Sequence, residues 1–313
     1  MTVGAVVAEP GEPRPPEDLA PEDLPPGDLP PGDLSPEDDL PPVPLLVADG
    51  VTMRFGGLVA VNAVDFVVGD REIAGLIGPN GAGKTTFFNC LTGLYRPSAG
   101  AVRLRGVRLP AKPDRVVAAG LARTFQNIRL FANMTATENV LVGRHSRTRA
   151  GALSAIGHGP RYRREEREGA QRAAELLKFV GITLDGDTLA RNLPYGDQRR
   201  LEIARALATD PTVLLLDEPT AGMNPQETHA AAGLVRRIRD ELGLSVVVIE
   251  HDIRFIFNLC DRVTVLARGE VLAEGEPAAV QADPRVIEAY IGGAADEDAA
   301  DDEDDDEDER SQP

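Results

Sequence analysis

The chain has very little cysteine: Cys90 and Cys260 are the only two in 313 residues. Both lie in apolar surroundings, Phe87 to Leu91 and Ile256 to Cys260. So sparse a pair builds no disulfide framework, and the expected setting is a reducing cytoplasm. Long apolar runs are also missing, since nowhere are there the ~18 consecutive apolar residues that a membrane-crossing helix requires. The N-terminus has no basic stretch followed by a hydrophobic segment and a small-residue cleavage site. The expectation is a chain that neither spans a membrane nor is exported.

What is abundant is acid, and it is concentrated at the two ends. The formal net charge is -18. Residues 1–45 hold 11 acids against Arg14, and residues 294–313 hold 12 against Arg310, which leaves +3 for residues 46–293. The part with folding potential is therefore near neutral, and tails this acidic argue against nucleic acid as a ligand. The first segment repeats ProGluAspLeu at 21–24 and ProGlyAspLeu at 26–29 and 31–34. Leucines five apart match neither helix nor strand, and the prolines remove backbone donors, so no apolar face assembles. The expected organisation is a disordered extension over 1–44, a folded unit over 45–293 and a disordered acidic tail over 294–313.

Between the tails, short apolar runs alternate with helical patterns, the mark of an α/β fold around a largely parallel, buried sheet. Ile73 to Ile77, Val213 to Leu216 and Val246 to Ile249 read as central strands, apolar throughout because helices cover both faces. Asn224, Pro225 and Glu227 open a helix as cap, first-turn proline and capping-box partner, and Gly243 closes it. Thr135 and Glu138 form a second capping box. From about 133 to 208 helical patterns follow with no convincing strand, which predicts an inserted helical subdomain.

Gly78-Pro79-Asn80-Gly81-Ala82-Gly83-Lys84-Thr85-Thr86 follows one of these strands and precedes a helix, the context that a phosphate-binding loop requires. Small residues let backbone amides turn around phosphates at a helix N-terminus, Lys84 neutralises β/γ oxygens, and Thr85 offers a hydroxyl to Mg²⁺. Asp217 and Glu218 end another strand, where Asp217 reaches the same Mg²⁺ and Glu218 orients and deprotonates water. His251 follows the third strand and is placed to sense a γ-phosphate. Gln126 ends a strand expected over Leu121 to Phe125 and brings an amide oxygen to metal and water. Leu193-Pro194-Tyr195-Gly196-Asp197 precedes an apolar-periodic helix, a second anion site in a chain that already has one. Such a site is best explained as serving nucleotide held by a partner. The arginines at 144, 147, 149, 161, 163 and 164 are interleaved with Glu165, Glu166 and Glu168 and read as a solvated helix face.

This set of motifs, in this order, resembles the ABC ATPase family: Walker A at 78–85, Q-loop at Gln126, signature at 193–197, Walker B at 213–218 and switch histidine at 251. The resemblance implies a P-loop NTPase fold with a RecA-like parallel-sheet core, an antiparallel β subdomain and the inserted helical subdomain. It also implies two subunits sandwiching two ATPs, each between one Walker A and the opposite signature, with Phe55 stacking on adenine. MetArgPheGlyGly (53–57), ArgThrPheGln (123–126), LeuProTyrGlyAspGlnArgArgLeuGluIleAlaArg (193–205) and AlaTyrIleGly (289–292) are similar to LivG-type subunits of branched-chain amino acid importers. The partners so implied are a second ATPase subunit of the LivF type, two transmembrane permease subunits and, indirectly, an extracytoplasmic solute-binding protein. The location implied is peripheral, on the cytoplasmic face of the membrane. Two positions depart from the general pattern. Pro194 replaces the signature serine, so contact with the opposite nucleotide leans on backbone amides around Gly196, and Asn224 stands where an aspartate is usual. A soluble ATPase acting on DNA or ribosomes is the alternative; such proteins usually carry a long coiled coil or a second cassette, and neither is present here. A regulatory module without turnover is opposed by Glu218, Gln126 and His251.

Overall fold

The computed structural model describes residues 44–144, 160–183 and 187–290. The N-terminal repeat, the acidic tail, the end of the AlaTyrIleGly motif, Arg147, Arg149 and the side chains of Arg161 and Arg163 lie outside the described residues.

The first part of the chain comprises β1 (Leu46–Phe55), β2 (Leu58–Val68), β3 (Ile73–Ile77), α1 (Lys84–Leu91), β4 (Ala99–Leu104), β5 (Val107–Arg108), α2 (Pro113–Ala119) and β6 (Leu121–Arg123). Helices α3 (Ala136–Arg144), α4 (Pro160–Phe179) and α5 (Tyr195–Leu207) follow, with a 3₁₀ turn at Ala190–Asn192. The chain then alternates again through β7 (Val213–Asp217), α6 (Pro225–Leu242), β8 (Ser245–Ile249), α7 (Ile253–Leu259), β9 (Arg262–Ala267), β10 (Glu270–Gly275) and α8 (Pro277–Gln281).

Two sheets result. Strands β2-β1-β4-β5 pair antiparallel. The order β10-β9-β3-β8-β7-β6 forms a second sheet, parallel from β9 to β6, with β10 antiparallel on the β9 edge. The three sequence-predicted central strands occupy its middle, and all five residues of β3, β7 and β8 are buried. Alternation divides their side chains between two cores. Ile73, Ile77, Leu214, Leu216, Val246 and Val248 face one apolar cluster, which is completed by α3 to α7. Ala74, Leu76, Val213, Leu215, Val247 and Ile249 face the other, shared with α1 and the antiparallel sheet. That second core places the antiparallel sheet beside the phosphate loop.

The segment from about 133 to 208 contains helices and, among the described residues, only an isolated bridge between Thr135 and Leu189. Both capping boxes form. Thr135 Oγ1 accepts from the Glu138 amide while Glu138 accepts from the Thr135 amide. Asn224 and Glu227 do the same for α6, which ends on Gly243 at φ 67°. The strand expected over Leu121 to Phe125 is shorter, ending at Arg123. Its ladder partner β7 turns away after Asp217, so Thr124 makes one last backbone bond to Leu215 and Phe125 joins the following loop. The Arg/Glu helix face is exposed, with Arg164 and Glu168 3.7 Å apart across one turn. Both cysteines are buried free thiols; burial pushes Cys90 up to about 11 and Cys260 further up. Among the described residues no helix is long and apolar enough to cross a membrane.

Candidate active site

The site forms where β3, β7 and β8 end. After Ile77 the chain turns at Gly78, with φ 154°, where a Cβ would lie 2.1 Å from the Leu266 carbonyl oxygen. Gly83 caps α1 at φ 97°, and a Cβ there would lie 2.5 Å from the Ala60 oxygen. Glycine is therefore required at both positions, for backbone conformation and for space. No side chain caps the first turn of α1, so its amide donors suit an anion. Lys84 Nζ donates to the carbonyls of Gly78 and Pro79 at 2.6 and 2.9 Å. Burial lowers its pKa, and nearby Glu218 opposes the shift.

The loop from Asn80 to Thr86 lines a cavity of about 540 Å³, together with Leu58 to Ala60, Gln126, Glu218 and Arg268. Gln126 Nε2 donates to Glu218 Oε2 at 2.9 Å. Glu218 itself adopts φ 47°, a left-handed backbone rare for a residue with a side chain and a form of strain that collects at functional sites. Its amide donates to the Ile249 carbonyl at 2.9 Å, which ties this turn to the end of β8. Asp217, one residue earlier, is buried, and its Oδ2 accepts from Arg123 Nη2 at 2.5 Å.

His251 follows β8 and its side chain is exposed, with Nδ1 3.7 Å from Glu250 Oε2. It belongs to the same sheet edge but is not among the residues lining the cavity. Sequence reasoning passed over Glu250, which is fully buried. Its Oε1 accepts from the Thr220 amide and hydroxyl at 2.8 and 2.6 Å, joining the start of the histidine loop to the loop after Glu218. Desolvation pushes its carboxyl above the ordinary range. Phe55 ends β1, half exposed, and meets Tyr95 edge-on at 5.4 Å; it too lies outside the cavity lining.

None of Leu193 to Asp197 lines this cavity. Leu193 is buried, Pro194 is the N-cap of α5 without a side-chain cap, and Tyr195 is 45% exposed. Tyr195 Oη donates to the Ala221 carbonyl and accepts from Arg199, each at 3.0 Å. Arg199 also donates to the Phe125 carbonyl at 3.0 Å, so α5 is fastened to the residue before Gln126. Asp197 pairs with Arg200 at 3.1 Å.

The profile of the ABC transporter family matches residues 61–221, 161 of the 313 residues. The chain belongs to the ABC transporter ATPase family. A second profile, that of the branched-chain amino acid ATP-binding cassette transporter, matches residues 270–296 of this ABC ATPase. The high-affinity branched-chain amino acid transport ATP-binding protein BraF of Pseudomonas aeruginosa is 46% identical over 252 residues, covering 80% of this chain and 99% of its own. LivG of Escherichia coli, another high-affinity branched-chain amino acid transport ATP-binding protein, is equally similar over the same shares. Among solved structures, an ATP-binding cassette of an ABC transporter in its ADP conformation superposes with a TM-score of 0.70 at 30% identity. That match covers 80% of this chain and 99% of the other. The ABC ATPase therefore binds and hydrolyses ATP, on the expected fold.

Proposed function

We propose that this ABC ATPase energises an importer for branched-chain or related hydrophobic amino acids. In this reading it sits on the cytoplasmic face of the membrane against two permease subunits and pairs with a second ATPase subunit of the LivF type. A solute-binding protein outside the membrane delivers the cargo. One juxtaposition carries the ATPase part of the reading: phosphate loop, Gln126 and Glu218 share a single cavity. The relatives favour this role over that of a soluble ATPase on DNA or ribosomes.

In this mechanism the triphosphate lies along Gly78 to Thr86, held by the amides at the start of α1, while Lys84 exchanges its two carbonyl partners for β/γ oxygens. Phe55 stacks on the adenine. The donor set suits Mg²⁺: Thr85 and Gln126, which line the cavity, and Asp217, at the end of β7, would supply a hydroxyl, an amide oxygen and a carboxylate, all hard oxygens. When bound, the ion screens charge on the phosphate oxygens. Glu218 orients water in line with the γ-phosphorus and takes up its proton as the bond from phosphorus to the bridging oxygen breaks. Gln126 holds the Glu218 carboxylate at 2.9 Å, and His251 hydrogen-bonds the γ-phosphate. Leu193 to Asp197 contact the nucleotide of the second subunit through the N-terminus of α5.

The test is to extract Glu218→Gln protein in native detergent with Mg-ATP and identify by mass spectrometry what accompanies it. Two polytopic permeases and a second ATPase are expected. Ribosomal or DNA-repair proteins without a membrane protein would overturn the reading.

A further inference from the structure

Arg123 opens the ArgThrPheGln stretch but has no role in the site as assigned above, yet its side chain is only 6% exposed and bonds to both β7 and α1. Nη2 donates to Asp217 at 2.5 Å, and Nη1 donates to Asn89 Oδ1 at 2.7 Å and Thr92 Oγ1 at 3.4 Å. The guanidinium lies against the rings of Phe88 and Phe125, 5.4 and 5.2 Å from their centroids. Asn89 is four residues after Thr85 on α1, one turn along the same helix face. Gln126 is three residues after Arg123. One rigid, planar cation thus joins the three segments that carry Thr85, Asp217 and Gln126, clamped by aromatic rings that limit its rotation.

We propose that Arg123 is a positioning residue that fixes the spacing of Thr85 and Asp217 and couples both to the loop of Gln126. The inference rests on the reading of those three side chains as metal ligands. A buried guanidinium that merely neutralised Asp217 would need only that one bond. The second arm, to Asn89, makes it a spacer, because the fork holds the two hydrogen-bond partners at a set angle. Lysine keeps the charge but has no fork, so Arg123→Lys retains the attraction to Asp217 and loses the bridge to α1.

The experiment measures Mn²⁺ binding by electron paramagnetic resonance to the full chain with ADP, and separately ADP binding in EDTA. For Arg123→Lys we expect Mn²⁺ affinity to weaken about tenfold with metal-free ADP affinity within about twofold of wild type, and for Asn89→Ala a weakening of about threefold. Asn89→Ala decides the matter if the lysine variant does not fold, since it leaves the Arg123–Asp217 pair in place. Unchanged Mn²⁺ affinity in the folded variants, even with a lowered melting temperature, would overturn the proposal and leave Arg123 a core ion pair. If wild type shows no saturable Mn²⁺ binding with ADP, the assignment of the metal ligands fails, and the inference falls with it.

Discussion

Two helix N-termini in this chain are read as anion sites, and they are built differently. At α1 the chain curls through left-handed glycines, Lys84 lies across the turn, and a cavity opens beside it with Glu218 in its lining. At α5 the cap is Pro194, the first turn carries Asp197 and the neighbouring Tyr195 is exposed, with no part of Leu193 to Asp197 on that cavity. The first brings its own cation, its own carboxylate and its own enclosure. The second offers amides and a helix dipole and little else, and in the proposed function it serves a phosphate presented from outside. The difference is what the proposed function requires, in which each nucleotide is held between the α1 terminus of one subunit and the α5 terminus of another.

The largest expected effect comes from removing the carboxylate on the α1 side. Glu218→Gln keeps the hydrogen-bonding shape but not the base, and turnover should fall ~10²–10⁴-fold with ATP affinity retained, as measured by phosphate release and equilibrium binding. Lys84→Met attacks binding itself. Loss of charge-assisted bonds worth about 1.5–3 kcal/mol should weaken ATP by roughly 10–100-fold in a filter-binding or fluorescence titration. A similar loss from any single substitution in Leu193 to Asp197 of the isolated chain would erase the contrast between the two termini.

Glu250 offers a pH test of the turn that carries Glu218. Desolvation raises its folded pKa above the ordinary 4.5. Below that value both folded and unfolded states hold the proton, and no stability is at stake. As pH rises, the unfolded chain ionises first, so the folded state is penalised increasingly until the folded pKa is passed. Glu250→Gln keeps an oxygen for Thr220 and removes the ionisation. The variant should melt with wild type near pH 4 and above it at pH 8, by roughly 2–4 °C for each kcal/mol of penalty. A constant difference across that range would contradict the assignment. The smallest effect is expected at Pro194. If the α5 terminus acts through backbone amides, as proposed, Pro194→Ser should change turnover of the assembled transporter by no more than about fivefold, the net worth of one hydrogen bond of about 1 kcal/mol.

The parts of this site that were legible in the sequence are those made by local chemistry. The glycine loop, the caps at Thr135 and Asn224, and strands buried on both faces each have a short-range signature, and each stands where expected. Glu250 and the left-handed turn at Glu218 left no such trace, and Arg123, although it opens the ArgThrPheGln stretch, gave no sign of its partners. Arg123 meets Asp217 across 94 positions and Glu250 meets Thr220 across 30, and a lone arginine or glutamate carries no mark of its distant partner. The left-handed turn at Glu218 comes with a bond from its amide to Ile249, again a tertiary contact. The expected strand through Phe125 failed for the same reason: apolar character continued, but the partner strand did not.

The central claim is that Gly83 and Gly196 serve different nucleotides. It is tested most directly by Gly196→Asp, which places a negative charge at the start of α5. ATP binding to the isolated variant and ATP-driven association with the second ATPase subunit would be measured together, with the melting temperature as the folding control. The account predicts wild-type ATP affinity and loss of association. Loss of ATP binding by the folded, isolated variant would contradict it, because the α5 terminus would then belong to the chain's own site.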